Sequence, residues 1–145
     1  MPANGKDIAK APYYITTPIY YVNDVPHIGH AYTTVAADAV ARYQRLRGRN
    51  VYFLTGTDEH GLKVERSAQR QSTEPQALAD RVVQRYQDLW QRLEISFDDF
   101  IRTTEDRHAA GVRKLWGLLE ANDAIYKGVY EGWYNVSDEA YVPDS

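Results

Sequence analysis

YYITTPIYYVNDVPHIGHAYTTVAADAVARYQRLRGRNVYFLT, residues 13–55, is the stretch that decides the fold. It begins with an apolar, β-rich run, Tyr13–Thr17, and ends with a second, Val51–Thr55. Between them, apolar or small residues recur at helical spacing from Ile28 to Leu46, and Gly48 stands where a C-terminal glycine cap belongs. The pattern predicts two buried strands joined by a helix. Because such βαβ crossovers are right-handed in about 98% of cases, the strands are expected to lie parallel.

The tetrapeptide His27-Ile28-Gly29-His30 opens the predicted helix. Backbone N–H groups at a helix N-terminus have no intrahelical partner, and the helix dipole adds partial positive charge there. His27 and His30 lie three residues apart on one helical face, and each can donate to phosphate oxygens. Gly29 leaves room for a flat ring against the backbone. We therefore predict an ATP site; the alternative of one exposed and one core histidine is disfavoured by the flanking strand and helix.

Two loops follow the predicted strands, residues 18–30 and 56–61. Ligands of parallel sheets bind beyond the carboxyl ends of the strands, so both loops are expected to face one crevice. In the second loop, Asp58, Glu59 and His60 can bind an ammonium group, position a water or cap the next helix. In the first, Ile19 and Tyr21 would form an apolar pocket close to Asp58. An α-amino acid with an apolar side chain would suit this crevice beside ATP.

The rest of the chain predicts three more helices and a hairpin. One helix is expected over residues 62–70, and a second starts with the stretch Ser72-Thr73-Glu74-Pro75, which offers a cap residue and an early proline. A third, capped by Thr103 and Thr104, would end near residue 122; its apolar positions are Val112, Leu115, Trp116 and Leu119. After residue 125, tyrosines, tryptophan and valines alternate with glycines, a composition typical of a β-hairpin.

Composition excludes several classes of protein. The 145 residues have a net charge of −3, 43% hydrophobic content and no cysteine, which excludes disulfides and thiolate metal sites. No apolar run approaches the roughly 18 residues of a membrane span, and residues 1–10 carry no signal or transit pattern, so we expect a soluble cytoplasmic protein without membrane partners. Neither a P-loop nor a Gly-x-Gly-x-x-Gly fingerprint occurs. A zinc site combining the two histidines with residues 58–60 is the rival hypothesis, but nothing else in the pattern requires a metal.

Residues 16–32, TTPIYYVNDVPHIGHAY, and 53–61, FLTGTDEHG, closely resemble the corresponding blocks of class I methionyl-tRNA synthetases. The likeness continues through residues 62–64 and into residues 130–134, and so covers nearly the whole chain from Tyr13. The element His-Ile-Gly-His alone is shared across class I synthetases and related nucleotidyl transferases. The long flanking blocks are what single out the methionyl enzymes.

The resemblance implies an α/β fold, the N-terminal half of a doubly wound parallel (Rossmann-like) nucleotide-binding domain. Residues 1–12 would be an N-terminal tail, residues 13–124 the first half of the catalytic domain, and residues 125–145 the start of an inserted β-rich connective domain. The second, lysine-rich ATP loop of the family is not among these residues, so the 145 residues alone are expected to be inactive. Homo-oligomerisation is left open.

The resemblance also implies an activity and a set of site residues. The parent protein would be a methionine–tRNA ligase that activates methionine with ATP, Mg²⁺ being the counter-ion, and transfers it to tRNA(Met). ATP would be bound by Pro26, His27, Gly29 and His30, with both histidines catalytic. Methionine would be bound by Pro18, Ile19, Tyr21 and Asp58.

One departure from the family concerns zinc. Asn135 and Asp138 stand where many members have the Cys-x-x-Cys of a structural zinc site. Amide and carboxylate oxygens are weak substitutes for thiolates around zinc, so no zinc is expected here. Two alternatives to the ligase remain: another adenylyl-transferring class I enzyme, and a non-catalytic module that binds methionine or nucleotide.

Overall fold

The computed structural model describes residues 11–142. Contacts divide the chain into two compact units at Ala110/Gly111. The predicted tail, residues 1–12, lies almost wholly outside the described residues, and the predicted boundary at 124/125 stays a prediction. The elements are β1 (Tyr13–Thr16), β2 (Tyr20–Tyr21), α1 (Ile28–Leu46), β3 (Val51–Asp58), α2 (Leu62–Arg70), α3 (Pro75–Arg92), β4 (Asp99–Arg102), α4 (Asp106–Ala121), β5 (Trp133–Asn135) and β6 (Ala140–Val142).

Strand β3 is the centre of a parallel sheet in the first unit. Leu54 of β3 pairs with β1 on one edge and with β4 on the other, and Thr57 pairs in the same way with β2 and β4. Strands β1 and β2 therefore follow one another along one edge of β3, and β4 occupies the opposite edge. All these pairings are parallel. The predicted α/β fold with a parallel β1–β3 pair is confirmed.

Only one face of β1 and β3 is covered within the described residues. Ala41 of α1 packs with Val51 and Phe53 on that face. Tyr14 and Tyr52 stack on each other on the opposite face, with ring centroids 5.8 Å apart, and are 62% and 46% exposed. The two predicted buried strands are therefore buried on one face only, because a hydrophobic run predicts a strand without telling how many of its faces are covered.

Helix α1 begins and ends where the sequence predicts. Gly48 has a φ of +78° and donates its N–H to the carbonyl of Arg45 over 2.9 Å. The following N–H, that of Arg49, bonds the carbonyl of Gln44 over 3.1 Å. This pair of bonds is a Schellman motif, which satisfies the last carbonyls of the helix and favours glycine at the left-handed position.

Helices α2 and α3 enclose the main core together with β2. Helix α2 spans the predicted residues, and α3 begins at Pro75 as predicted. Ser72 and Thr73 do not cap it: the N-cap is Glu74, whose side chain makes no capping bond. The proline has no N–H to satisfy, so the first turn needs less capping. The buried residues of this core are Tyr20, Val22, Val64, Ala68, Leu78, Ala79, Val82, Val83, Tyr86 and Trp90.

Strand β4 was not predicted, because its short sequence Asp-Phe-Ile-Arg has neither an alternating pattern nor flanking glycine or proline. Its neighbour β3 carries Gly56 opposite Ile101. A Cβ on Gly56 would lie 2.0 Å from the carbonyl oxygen of Ile101, so only glycine permits this approach. Asp98, just before β4, makes two hydrogen bonds to Phe53 of β3. Its N–H donates to the carbonyl of Phe53 over 2.8 Å, and its carboxylate accepts the N–H of Phe53 over 2.7 Å.

Helix α4 ends at Ala121, close to the predicted end. Its predicted apolar face is not buried: Val112, Leu115, Trp116 and Leu119 are 39–58% exposed. Thr103 and Thr104, the predicted caps, bond instead to Glu59. Periodicity predicted the helix correctly. Whether its apolar face is buried, and what the hydroxyls of Thr103 and Thr104 bond to, depend on residues distant in the sequence.

The second unit contains the predicted hairpin, formed by antiparallel β5 and β6. Asn135 and Asp138 hold its turn together. The side-chain N–H of Asn135 donates to the carboxylate of Asp138 over 2.7 Å, and its side-chain oxygen accepts the N–H of Ser137 over 2.9 Å. At the two positions where many relatives are expected to have cysteines, this chain closes the turn with hydrogen bonds.

Asp38 fastens the middle of α1 to the segment between α3 and β4. It is 7% exposed, and its carboxylate accepts the N–H of Ser96 over 2.7 Å, the hydroxyl of Ser96 over 2.5 Å and Nε of Arg42 over 2.6 Å. Because α1 also carries the histidine motif, this contact helps to position the N-terminus of the helix.

Asp38→Ala is expected to lower the free energy of unfolding by about 2–3 kcal/mol, because the N–H of Ser96 loses its charged partner in a buried site. Urea unfolding at pH 7 measures this. The control is Asp88→Ala, which removes an exposed carboxylate of α3 bonded to Gln84; it should change stability by less than about 0.5 kcal/mol. Equal effects of both variants would contradict the role of Asp38.

Candidate active site

The histidine motif and the loop before it line one cleft in the first unit. The cleft has a volume of about 380 Å³. It brings together four of the sequence-predicted site residues, Ile19, Tyr21, His27 and His30. The other lining residues are Tyr20, Asn23, Asp24, Val25 and Tyr86. Apolar, aromatic and imidazole side chains thus converge on a space large enough for part of a nucleotide or for an amino acid.

His27 and His30 bond the backbone at the N-terminus of α1. His27 is the N-cap, and its Nδ1 accepts the N–H of Gly29 over 3.1 Å. Nδ1 of His30 accepts the N–H of His27 over 3.2 Å, which completes a capping box. Since both Nδ1 atoms accept, the hydrogen-bond pattern assigns the proton of each neutral ring to Nε2. Each ring therefore keeps an Nε2–H donor for a ligand in the cleft.

The two imidazoles stack with their centroids 3.7 Å apart and their planes 29° apart. His30 is half-buried against Tyr20 and Tyr86, with centroid distances of 4.8 and 5.4 Å. Burial lowers the pKa of His30 below its ordinary value, and the neighbouring His27 lowers that pKa further. His30 is accordingly neutral at pH 7. It would act on phosphates as a hydrogen-bond donor, without a formal charge.

Gly29 has a local reason for lacking a side chain. A Cβ at this position would lie 3.0 Å from Cε1 and 3.1 Å from Nδ1 of His27. The neighbouring imidazole therefore occupies the space in which a side chain would begin, and it does so while capping the helix. The predicted role of Gly29, leaving room for adenine, stays a prediction.

Asp58 lies beside the cleft as the last residue of β3. It is the register partner of Tyr21, so the two predicted methionine-binding residues are neighbours on adjacent strands. Its carboxylate accepts the N–H of His60 over 3.3 Å. Pro18 and Pro26 lie at the two ends of the loop that leads into α1: the hydroxyl of Thr17 donates to the carbonyl of Pro18 over 2.8 Å, and Pro26 directly precedes the N-cap.

Glu59 has a structural role that separates it from Asp58. Its side chain is fully buried and forms two bonds with Arg102, of 2.7 and 2.9 Å. The hydroxyls of Thr57 and Thr104 donate to it over 2.7 and 2.6 Å. Burial works against its ionisation, but these four donors outweigh burial, and the pKa of Glu59 lies below its ordinary value. The adjacent carboxylates therefore do not act as a pair.

The rival hypothesis of a metal site finds no support in residues 11–142. They contain no group of three or more histidine, aspartate or glutamate side chains placed to hold a metal ion. Glu59, one of the proposed ligands, is instead committed to Arg102. Over the same range, no helix combines the length and the apolar character needed to cross a membrane.

Sequence reasoning missed the partners that lie far along the chain. Tyr86 of α3 has its hydroxyl 3.2 Å from Nδ1 of His30. Arg102 and Thr103 anchor the loop that contains Glu59. No local motif marks these residues, because each meets its partner only after more than 40 residues of chain have folded back.

Comparison with known proteins gives a consistent family. The sequence model of the family described as "tRNA synthetases class I (M)" matches residues 13–145. The methionine–tRNA ligase of Rickettsia prowazekii (strain Madrid E) is 58% identical over 94% of this chain and 27% of its own length. That of Halalkalibacterium halodurans is 54% identical over 92% of this chain and 20% of its own length. The chain thus spans about a quarter of the length of the curated relatives it matches, or less.

Solved structures agree. Mycobacterium tuberculosis methionyl-tRNA synthetase in complex with methionyl-adenylate superposes with a TM-score of 0.85 at 48% identity, over 90% of this chain and 26% of that one. A leucyl enzyme, the Agrobacterium radiobacter K84 agnB2 LeuRS in a ternary complex with tRNA and LeuAMS, superposes with a TM-score of 0.76 at 20% identity, over 96% of this chain and 18% of that one. The second likeness concerns the fold alone.

The Glu59–Arg102 pair predicts a pH-dependent contribution to stability. Because the pKa of Glu59 is lowered on folding, its contribution is complete above the ordinary value of 4.5 and is lost as the pH falls through the lower folded value. Glu59→Gln should therefore cost about 3 kcal/mol at pH 7, and the difference from wild type should shrink below pH 4.5.

Urea unfolding at pH 7, 5, 4 and 3 measures this difference. Glu65→Gln, which alters an exposed carboxylate of α2 bonded to Gln69, is the matched control and should have little effect at any pH. A deficit of Glu59→Gln that stayed constant from pH 7 to pH 3 would contradict the assignment.

Proposed function

The chain belongs to the class I tRNA synthetases of the methionyl type, and from this membership we propose that it is the first part of the catalytic unit of a methionine–tRNA ligase. The observation that carries the proposal is the cleft itself. Two imidazoles at a helix N-terminus line it together with the apolar side chains of Ile19 and Tyr21, and a carboxylate follows on the adjacent strand. This arrangement suits a substrate pair of ATP and an amino acid with an apolar side chain.

The first reaction joins methionine to AMP. A carboxylate oxygen of methionine attacks the α-phosphorus of ATP, the bond from that phosphorus to the bridging oxygen breaks, and pyrophosphate leaves with the bonding electrons. In the second, the terminal ribose hydroxyl of tRNA(Met) forms an ester with the methionyl carbonyl carbon and AMP leaves. Neither step needs a covalent enzyme intermediate, so alignment and charge stabilisation supply the catalysis.

The N-terminus of α1 binds ATP. His27 and His30 donate from Nε2 to phosphate oxygens, and the donation strengthens as negative charge develops in the transition state. The helix dipole adds to this stabilisation. Pro26 and Gly29 shape the backbone on which the nucleotide lies. Mg²⁺ accompanies ATP as its counter-ion, as is usual for nucleotide substrates.

The β2–β3 edge binds methionine. Asp58 accepts hydrogen bonds from the ammonium group, while Ile19, Tyr21 and Pro18 contact the backbone and the apolar side chain. The neighbouring Glu59 is committed to Arg102, so of these two adjacent carboxylates Asp58 is the one that would pair with the ammonium group. An apolar pocket discriminates by only about 1–3 kcal/mol per methylene, so selectivity for methionine depends on pocket shape.

We assign residues 13–124 to the first half of the nucleotide-binding domain and residues 125–145 to the start of a connective insertion. The hydrogen bond between Asn135 and Asp138 supports a turn that needs no zinc. We further propose that the protein works in the cytoplasm, where its tRNA partner is used.

His27→Ala and His30→Ala in the full-length ligase should each raise the activation free energy of adenylation by about 2–4 kcal/mol, because each removes one donor to the phosphates. Methionine-dependent exchange of pyrophosphate into ATP measures this step. His108→Ala, a histidine of α4 outside the cleft, is the control and should exchange at the wild-type rate. Unchanged exchange in both cleft variants would refute the catalytic assignment.

Asp58→Asn should raise the KM for methionine by roughly 10- to 100-fold with little change in the KM for ATP, because the amide loses the charge that pairs with ammonium. The same exchange assay, run with other amino acids in place of methionine, separates the alternatives. Exchange supported by a different amino acid would indicate another adenylyl-transferring enzyme. Binding of a methionyl-adenylate analogue without any exchange would indicate a binding module.

A further inference from the structure

The hydroxyl of Tyr86 lies between the two halves of the candidate site. It is 3.2 Å from Nδ1 of His30, on the ATP side, and 3.4 Å from the carbonyl oxygen of Tyr21, on the methionine side. These contacts span 56 and 65 residues of sequence. Tyr86 also lines the cleft. No other tyrosine hydroxyl bonded within the described residues reaches an imidazole of the motif.

The ring of Tyr86 is held firmly. Its side chain is fully buried and stacks on Tyr20, with the centroids 5.6 Å apart and the planes 5° apart. Trp90 packs at 6.0 Å from it. A side chain enclosed in this way has little freedom to move its hydroxyl, so the distance to His30 is set by the packing of α3 against β2.

We propose that Tyr86 is a positioning residue for the histidine pair: its hydroxyl donates to Nδ1 of His30 and so keeps the ring proton on Nε2, directed at the phosphates. The inference rests on the function proposed above. Tyr86 does not itself touch the reacting atoms. It acts through His30; the carbonyl oxygen of Tyr21, at the longer distance of 3.4 Å, competes for the same hydroxyl proton.

The chemistry of the surroundings supports this direction of donation. Nδ1 of His30 accepts the N–H of His27 and so carries no proton; the hydroxyl of Tyr86 therefore approaches it as a second donor that shares the same lone pair. Burial raises the pKa of Tyr86 well above its usual range, and the nearby Tyr20 and Asp24 add to this effect. The hydroxyl is therefore protonated at neutral pH and can donate.

The test compares Tyr86→Phe with Tyr20→Phe. Both variants remove one hydroxyl from the same aromatic stack, but that of Tyr20 bonds to Thr34 over 2.8 Å instead of His30. Long-range ¹H–¹⁵N spectra of the full chain, labelled at histidine ring nitrogens, report which nitrogen holds the proton; the His30 signals are assigned by their loss in His30→Asn. We expect the Nδ1 signal of His30 to shift towards the protonated position in Tyr86→Phe and to stay in place in Tyr20→Phe.

Kinetics supply the second readout. In pyrophosphate exchange by the full-length ligase, Tyr86→Phe should lower kcat about tenfold, equivalent to about 1.4 kcal/mol, and leave the KM for methionine within about twofold. Thermal unfolding of both variants shows whether packing is equally affected. The inference is overturned if Tyr86→Phe moves neither the Nδ1 signal nor kcat, or if Tyr20→Phe moves both to the same extent.

The two readouts also separate this inference from the proposed function. Absence of any exchange by the wild-type protein would refute the ligase assignment, while the nitrogen spectra would still decide whether Tyr86 controls the tautomer of His30. Normal exchange with an unchanged spectrum and unchanged kcat in Tyr86→Phe would refute the positioning role and leave the ligase assignment intact.

Discussion

Hydrogen bonding along both edges of β3 determines where each loop of the candidate site begins. Strands β1 and β2 follow one edge and β4 the other, all parallel to β3. Their carboxyl ends therefore emerge on one side of the sheet, which is where parallel sheets bind ligands. Gly56 makes the second edge possible, because any Cβ there would collide with the backbone of β4. Tyr21 and Asp58 are neighbours for the same reason, since they end two paired strands.

In the proposed function, the histidine motif serves folding and chemistry with the same two side chains but with different ring nitrogens. Each Nδ1 accepts a backbone N–H at the start of α1, and each Nε2 is left for the ligand. Helix capping thus fixes the orientation of the two imidazole rings, and catalysis by hydrogen-bond donation would require such a fixed orientation. Gly29 contributes to the same arrangement, because the absence of a side chain there leaves space for the capping imidazole of His27. Asp38 and Tyr86 hold the helix from two further directions.

In the block Thr-Asp-Glu-His-Gly, residues 57–61, neighbouring residues take different roles in the folded protein. Its two carboxylates are adjacent in sequence, but their surroundings differ. Glu59 is buried with Arg102 and two threonine hydroxyls, while Asp58 stays beside the cleft. The buried pair fixes the loop, and the loop presents the remaining carboxylate. A chain that spans about a quarter of its relatives, or less, thereby already contains both edges of the candidate site with their internal supports.

The sequence by itself determined the βαβ unit, the bounds of α1 and α2 within a residue or two, the histidine motif and the family, because helix caps, hydrophobic periods and short motifs are local properties of the chain. The tertiary structure alone decided the rest. It decided that Glu59 pairs with Arg102, that β4 adds to the sheet and that Tyr86 reaches His30. It also decided that Tyr14 and Tyr52 stay exposed on the uncovered face of the sheet. All of these features depend on residues distant in sequence. Such contacts form only when the chain closes long loops, and no local pattern records which partners will then meet.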